Sequence, residues 1–303
     1  MKIQAQKIDT LAGHKDCVYA LEAHIEHNSF FSSGADGLVA LWNLENPEIG
    51  KLVAQVPNSV YALKLLEEEK QLLIGQNTQG IHLVDLGKMQ EIKSLQTTHT
   101  SIFDIAYYNQ EIFVAYADGD IHIIDKNLWR IRKVLSFSKK PARCMAINAF
   151  WGHLAVGYSD WHIRIFDIKT FELIVDIDAH ANSVFTLAYS PDAQFLLSAG
   201  RDAQIKIWEI NKHYHLQKSI PAHLYTINHL SFSPKGEFLA SCSMDKSIKI
   251  WDSQTFELLK VLDKSKGAGH GTSVNKLFWS KYNNQLLSAS DDRSIGVWEV
   301  AKI

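Results

Sequence analysis

Apolar and polar residues alternate along most of this chain in short runs, such as IHII (121–124), IRIF (163–166), IKIW (205–208) and IGVW (295–298). Period-two alternation of β-branched and aromatic residues with polar ones is the mark of half-buried strands. Between the runs lie stretches of turn residues: NPEIG (46–50), SPDAQ (190–194), SPKGE (233–237) and KYNNQ (281–285). No segment keeps a helical period, so the pattern predicts an all-β protein.

The runs belong to a larger repeating unit. FFSSGADGLVALW (30–42), FLLSAGRDAQIKIW (195–208), FLASCSMDKSIKIW (238–251) and QLLSASDDRSIGVW (285–298) share one design. In each, a Ser stands four residues before an Asp, a Trp six residues after it, and a His 28 residues before the Trp. The four sets are His14, Ser32, Asp36 and Trp42; His180, Ser198, Asp202 and Trp208; His223, Ser241, Asp245 and Trp251; and His270, Ser288, Asp292 and Trp298. Three worn units fill the gap, with Val84, Ile124 and Phe166 in place of Trp. The steps between units are 42, 40, 42, 42, 43 and 47 residues, the last lengthened by an insertion, KSKGAGHG (264–271). Seven units use nearly the whole chain, so residues 1–303 are expected to form a single domain.

The Gly13-His14 dipeptide and the recurring Trp42-Asn43, Trp208-Glu209, Trp251-Asp252 and Trp298-Glu299 pairs resemble the WD-repeat β-propeller family. Only Trp251-Asp252 is a literal Trp-Asp, and Thr78 stands in blade 2 where Asp is expected. The resemblance implies a seven-bladed propeller of four-stranded antiparallel blades. After Trp298 only EVAKI remains, and residues 2–11 precede the first His without a unit of their own. Both facts fit the family's closure, in which an N-terminal strand completes the last blade and removes an exposed sheet edge.

Composition narrows the function. Thirty-one Lys and Arg against 33 Asp and Glu give a net charge of -2, a poor basis for binding nucleic acid or an anionic membrane. No apolar run approaches the ~18 residues that span a bilayer, and MKIQAQKIDT lacks the apolar stretch of a signal sequence. Cys17, Cys144 and Cys242 are too scattered for a disulfide framework or a metal motif. A cytoplasmic protein with reduced thiols is expected. The chain holds no phosphate-binding GxxxxGK[ST], no dinucleotide-binding GxGxxG between strand and helix, and no HExxH zinc motif, so no cofactor or metal is expected. The acidic run 67–69 reads as a solvated loop.

Ser198, His180 and Asp202 have the residue types of a hydrolase triad. The same set recurs in four units, always with a Trp, whereas a catalytic centre needs one. The resemblance implies a buried structural chain from the indole through Ser and His to Asp, so the sequence points away from an enzyme.

In the family, the first residues of each innermost strand lie near one channel mouth and contact partners. Alignment on the His-containing turns puts Tyr19, Tyr61, Phe103, Met145, Phe185, Asn228 and Asn275 there. Arg143 falls two residues earlier in its unit, Arg201 just before a tight-turn Asp, and Trp161 within the turn where other units have Gly37 and Gly119. An aromatic rim with Arg suits a docking surface, although the same rings also suit packing around a channel. The expected role is a non-catalytic scaffold for protein or peptide partners, without nucleic acid or membrane, as a monomer or a subunit of a larger complex. The alternative is a propeller enzyme, or a binder of small ligands or modified peptides, at the channel mouth. Trp129, Trp151 and Tyr214 mark the opposite face as a second candidate surface.

Overall fold

The computed structural model describes residues 2–48, 50–264 and 269–303. Of the expected insertion at 264–271, residues 265–268 lie outside the described ones. Seven four-stranded antiparallel sheets are arranged as blades, and no α-helix occurs among the described residues. Blade 1 runs outward through Val18–Ala23, Ser29–Gly34, Leu38–Asn43 and Lys51–Gln55. A short 3₁₀ turn, Ile210–Lys212, precedes the outer strand of blade 5.

Alternation explains why blades stack. Second strands bury nearly every residue, because each of their two faces meets a neighbouring blade. One apolar cluster sits between each adjacent pair of blades. Between blades 3 and 4, for instance, Phe113 packs with Tyr158 and Phe166, and between blades 4 and 5, Ala155 packs with Leu196 and Trp208. The core is therefore a ring of seven interblade layers rather than one centre.

The ring closes as the chain ends suggested. Ile3–Ala12 pairs antiparallel with Ser294–Lys302, from Ile3 opposite Lys302 to Ala12 opposite Ser294, as the outer strand of blade 7. Ile3 and Val300 join a cluster with Phe238 and Ile250 of blade 6. Leu11 joins one with Val18, Phe30 and Trp42 of blade 1. The terminal strand thus fastens both neighbours of the blade it completes.

The four His–Ser–Asp–Trp sets form as buried chains in blades 1, 5, 6 and 7. The Trp42 indole N–H donates to Ser32 Oγ at 2.7 Å, Ser32 contacts His14 Nε2 at 2.7 Å, and His14 Nδ1 reaches Asp36 at 3.0 Å. The other three chains repeat these links within 2.7–2.9 Å: Trp208 to Asp202, Trp251 to Asp245, and Trp298 to Asp292. Since Ser accepts from the indole, its own hydrogen goes to His Nε2, which fixes the ring proton on Nδ1 facing the carboxylate. Each Asp also accepts two backbone N–H groups, Ala181 and Gln204 at Asp202 and Leu224 and Ser247 at Asp245. Burial alone pushes the Asp202, Asp245 and Asp292 carboxyls up, but the His hydrogen bonds and backbone donors outweigh it and hold all three below the usual carboxylate range. Burial pushes His223 down, keeping it neutral.

Blades 2, 3 and 4 lost this chain by different routes. In blades 3 and 4, Val114 with Ile124 and Val156 with Phe166 are fully buried in place of Ser and Trp. In blade 4, Phe137 packs edge-on against Phe166 at 5.0 Å, and Asp160 turns to Arg164 at 2.9 Å. Removing all members of the chain together avoids stranding one of them, while the His122 Nδ1 of blade 3 and the Tyr158 hydroxyl of blade 4 are buried without a hydrogen-bond partner among the described residues. His99 and Asp118 of blade 3 do not pair: His99 contacts Gln96 and Asp118 accepts from the Asp120 N–H.

Three outcomes follow from this architecture. Removing residues 1–12 takes away Ile3 and Leu11, on the order of 3–6 kcal/mol of apolar burial, and exposes the Ser294–Lys302 edge. A lower melting temperature and association on size-exclusion chromatography are expected; an unchanged monomer contradicts the closure. Asp202→Ala strands His180 and two backbone N–H groups and is expected to destabilise by about 1–3 kcal/mol, read by denaturant unfolding. The pH dependence has a defined sign. The unfolded chain binds protons at His near pH ~6.5 and at Asp near pH ~3.9 more readily than folded His223 and Asp245 do. Stability is therefore expected to hold above about pH 6.5 and fall in two acid steps below it. Flat stability between pH 7 and 5, with no further loss below 4, contradicts the assignment.

Candidate functional site

Every blade bends its innermost strand at the same place. The ladder passes from Val18 opposite Gly34 to Ala20 opposite Ser33, leaving Tyr19 unpaired in a bulge. The residues skipped in the other blades are Tyr61, Phe103, Arg143, Phe185, Asn228 and Asn275. A bulge inserts one residue and re-aims its side chain, so seven of them project seven side chains around one channel mouth.

Six of the seven expected rim positions stand. In blade 4 the rim residue is Arg143, not Met145. Met145 lies two residues further along, 8% exposed in the blade 3–4 core, in register with Leu21 and Leu63. The entry of blade 4 is anchored by Pro141, whose carbonyl binds the Ser159 N–H as Cys17 binds Ala35.

The rim forms a connected arc. Tyr19 and Tyr61 lie 4.6 Å apart between ring centroids, and Tyr61 and Phe103 lie 5.9 Å apart. The Arg143 guanidinium stacks over Phe103 at 4.2 Å and Phe185 at 5.3 Å, while its Nε–H donates to Ser159 Oγ at 2.9 Å. Burial, helped by the nearby Arg201 charge, lowers the Arg143 pKa, which still leaves it a cation. The two Asn tie blades together. Asn228 donates to the Val274 carbonyl at 2.8 Å, and Asn275 to the Val18 carbonyl at 3.0 Å and the Asp291 carboxylate at 2.7 Å.

Trp161 sits in the blade 4 turn at φ +62°, a conformation that Ala203, Lys246 and Arg293 share in their own turns. The turn dictates the backbone, therefore, but does not call for an indole, and Trp161 remains 47% exposed. Strand direction places it on the mouth face with exposed Arg201. The structure adds Leu224, 84% exposed, Tyr225, 63%, and Met244, 57%, on the same face across blades 5 and 6. The sequence carried a signal for the first two. After the chain His, other units read Lys15-Asp16, Ala181-Asn182 and Gly271-Thr272, while this one reads Leu224-Tyr225.

The opposite face is less open than expected. Tyr214 is buried, with its hydroxyl 2.6 Å from His153 and 3.0 Å from Tyr189, and the Trp129 and Trp151 indoles donate to the Ser94 and Ala193 carbonyls. Phe150 and Trp151 stay exposed there. The run 67–69 is not merely solvated, since Glu69 accepts from Lys126 at 2.5 Å and Tyr107 at 2.9 Å. His122, on the third strand of blade 3, is buried against Tyr116.

The chain matches the family described as WD40, WD domain, G-beta repeat, over residues 5–43, 214–252 and 257–299, and one described as WDR54 over 131–219. It is similar to Striatin of Homo sapiens, 25% identical over 208 residues that cover 69% of this chain and 23% of that protein. It is also similar to the Striatin homolog of Dictyostelium discoideum, 24% identical over 213 residues (68% and 22%), and to the Periodic tryptophan protein 2 homolog of Mus musculus, 22% over 219 (65% and 24%). The similarity therefore spans under a quarter of these relatives' length. Among solved structures, the WD40 beta propeller domain of Doa1 superposes with a TM-score of 0.85 at 17% identity, covering 97% of each chain, a likeness of fold. With seven blades and four complete Trp–Ser–His–Asp chains, these matches identify WD40 repeats in a chain that folds as a seven-bladed β-propeller.

Proposed function

We propose that this protein is a non-catalytic scaffold that docks a protein or peptide partner on the mouth face. The observation that carries the reading is the sector over blades 4 to 6, where Trp161, Leu224, Tyr225 and Met244 are all exposed around Arg201 at the edge of an aromatic rim. None of the four apolar groups is required by the turn that holds it, and folding alone gives no reason to present them together. Exposed aromatics beside Arg have the composition of an interface core. Docking onto a closed ring orders little backbone, which limits the entropy that binding costs. The four buried Ser–His–Asp sets support no catalytic role, since each Ser is fully buried with both its hydrogen-bonding directions used. A cytoplasmic location accompanies this reading, supported by the three free cysteines.

The test is affinity capture with mass spectrometry, comparing wild type with the Trp161→Ala, Leu224→Asp, Tyr225→Ala triple variant. Captured partners are expected to fall at least about tenfold, with a melting-temperature change under about 2 °C. A variant that keeps its full set of partners rules out this sector as the docking surface.

A further inference from the structure

The channel and its mouth enclose a cavity of about 510 Å³. Directly after each bulge residue comes a second ring of side chains: Ala20, Ala62, Asp104, Cys144, Thr186, His229 and Lys276, one from each blade. Three of the seven clamp the next blade. Asp104 Oδ2 accepts from the Met145 N–H at 2.7 Å, Thr186 from Leu230 at 3.1 Å, and His229 Nδ1 from Leu277 at 3.4 Å. This part of the ring is therefore fixed by backbone contacts.

Some of its hydrogen-bonding capacity is left over. With Nδ1 accepting from a backbone N–H, the His229 proton resides on Nε2, which has no protein partner among the described residues. Burial first, and the Lys276 charge second, push His229 well below its usual pKa, so it presents a neutral donor. The Lys276 ammonium closes no ion pair and makes no hydrogen bond among the described residues; it faces Asp104 across the same lumen, where burial pushes the Asp104 carboxyl up and the Lys276 charge opposes that rise. Glu22 and Lys64, by contrast, neutralise each other at 3.2 Å. The Arg143 guanidinium engages Ser159 through Nε alone, leaving its terminal nitrogens available at the mouth.

The charge balance selects the ligand. Arg143, Lys64 and Lys276 face Glu22 and Asp104 across the lining, so the lumen carries a formal surplus of one positive charge. A single negative charge completes it, whereas a phosphate dianion exceeds it. Tyr19, Tyr61, Phe103 and Phe185 at the entrance favour an apolar stem behind the anionic head.

We propose that the channel is a monocarboxylate site, in which Lys276 and His229 hold the carboxylate and the aromatic rim holds its short aliphatic stem. The carboxylate comes either from a free acid or from a Glu side chain of a docked segment; only the second source rests on the docking reading.

Ligand-observed NMR and calorimetry with pentanoate and its neutral counterpart pentanamide test the site directly. A second pair, capped pentapeptides with central Glu or Gln, tests the source. Pentanoate is expected to bind at least about tenfold tighter than pentanamide, the advantage of one charge-assisted contact. Lys276→Met is expected to abolish the difference, and Lys235→Met, on an exposed turn, to preserve it. A Glu peptide that binds tighter than pentanoate assigns the site to a partner's side chain; equal or weaker binding assigns it to a free acid. Equal binding of pentanoate and pentanamide to wild type overturns the proposal, and needs no variant to fold. So does a preference that survives Lys276→Met. Neither result depends on capture of a partner by Trp161, Leu224 and Tyr225, so failure here leaves the docking test standing, and the converse holds.

Discussion

A four-stranded sheet has two apolar faces to bury, and each blade of this chain buries its faces only because a neighbour stands on either side. That requirement has no solution in an open row, since the two end blades would each expose a face. The pairing of Ile3–Ala12 with Ser294–Lys302 removes the problem by making the row a ring. Leu11 inside the blade 7–1 layer and Ile3 inside the blade 6–7 layer show the same strand serving two interfaces. The rest of the structure, including the place where side chains converge, follows from that closure.

Within the ring, polar and apolar solutions to the same interior are grouped. Blades 5, 6, 7 and 1 are consecutive and carry the buried chains; blades 2, 3 and 4 are consecutive and lack them. A chain of Trp, Ser, His and Asp is favourable only when complete, because any single loss strands a buried donor or acceptor. Blade 4 shows the alternative, with Phe137 against Phe166 and Asp160 re-paired with Arg164. The mouth shows another division. Aromatic residues and Arg occupy the rim from blade 1 to blade 5, and the two Asn of blades 6 and 7 are committed to interblade hydrogen bonds.

The fold was legible because its signals repeat. Spacing among His14, Ser32, Asp36 and Trp42 recurs three times, and the shortage of residues after Trp298 pointed to the N-terminal strand. The rim was legible in six blades, blade 2 among them without a His in its entry, and slipped by two residues in blade 4, where the count gave Met145 and the bulge holds Arg143. The two-residue slip preserves strand alternation, and only the bulge, a feature of pairing rather than composition, separates the two. The second ring was hidden for the same reason: Asp104, His229 and Lys276 look like surface residues of an alternating strand until the bulge turns them into the lumen. Trp161 stood out from the start because an indole replaced glycine in a turn. Leu224 and Tyr225 needed comparison between units as well as spacing.

Amide hydrogen exchange followed by mass spectrometry measures the closure itself, strand by strand. The account predicts that Ile3–Ala12 and Ser294–Lys302 exchange as slowly as the second and third strands of the other blades, opening only with the whole ring. Exchange of these two segments far ahead of the other strands, with the remaining blades still protected, would contradict it, because the ring would then be stable without the strand held here to complete it.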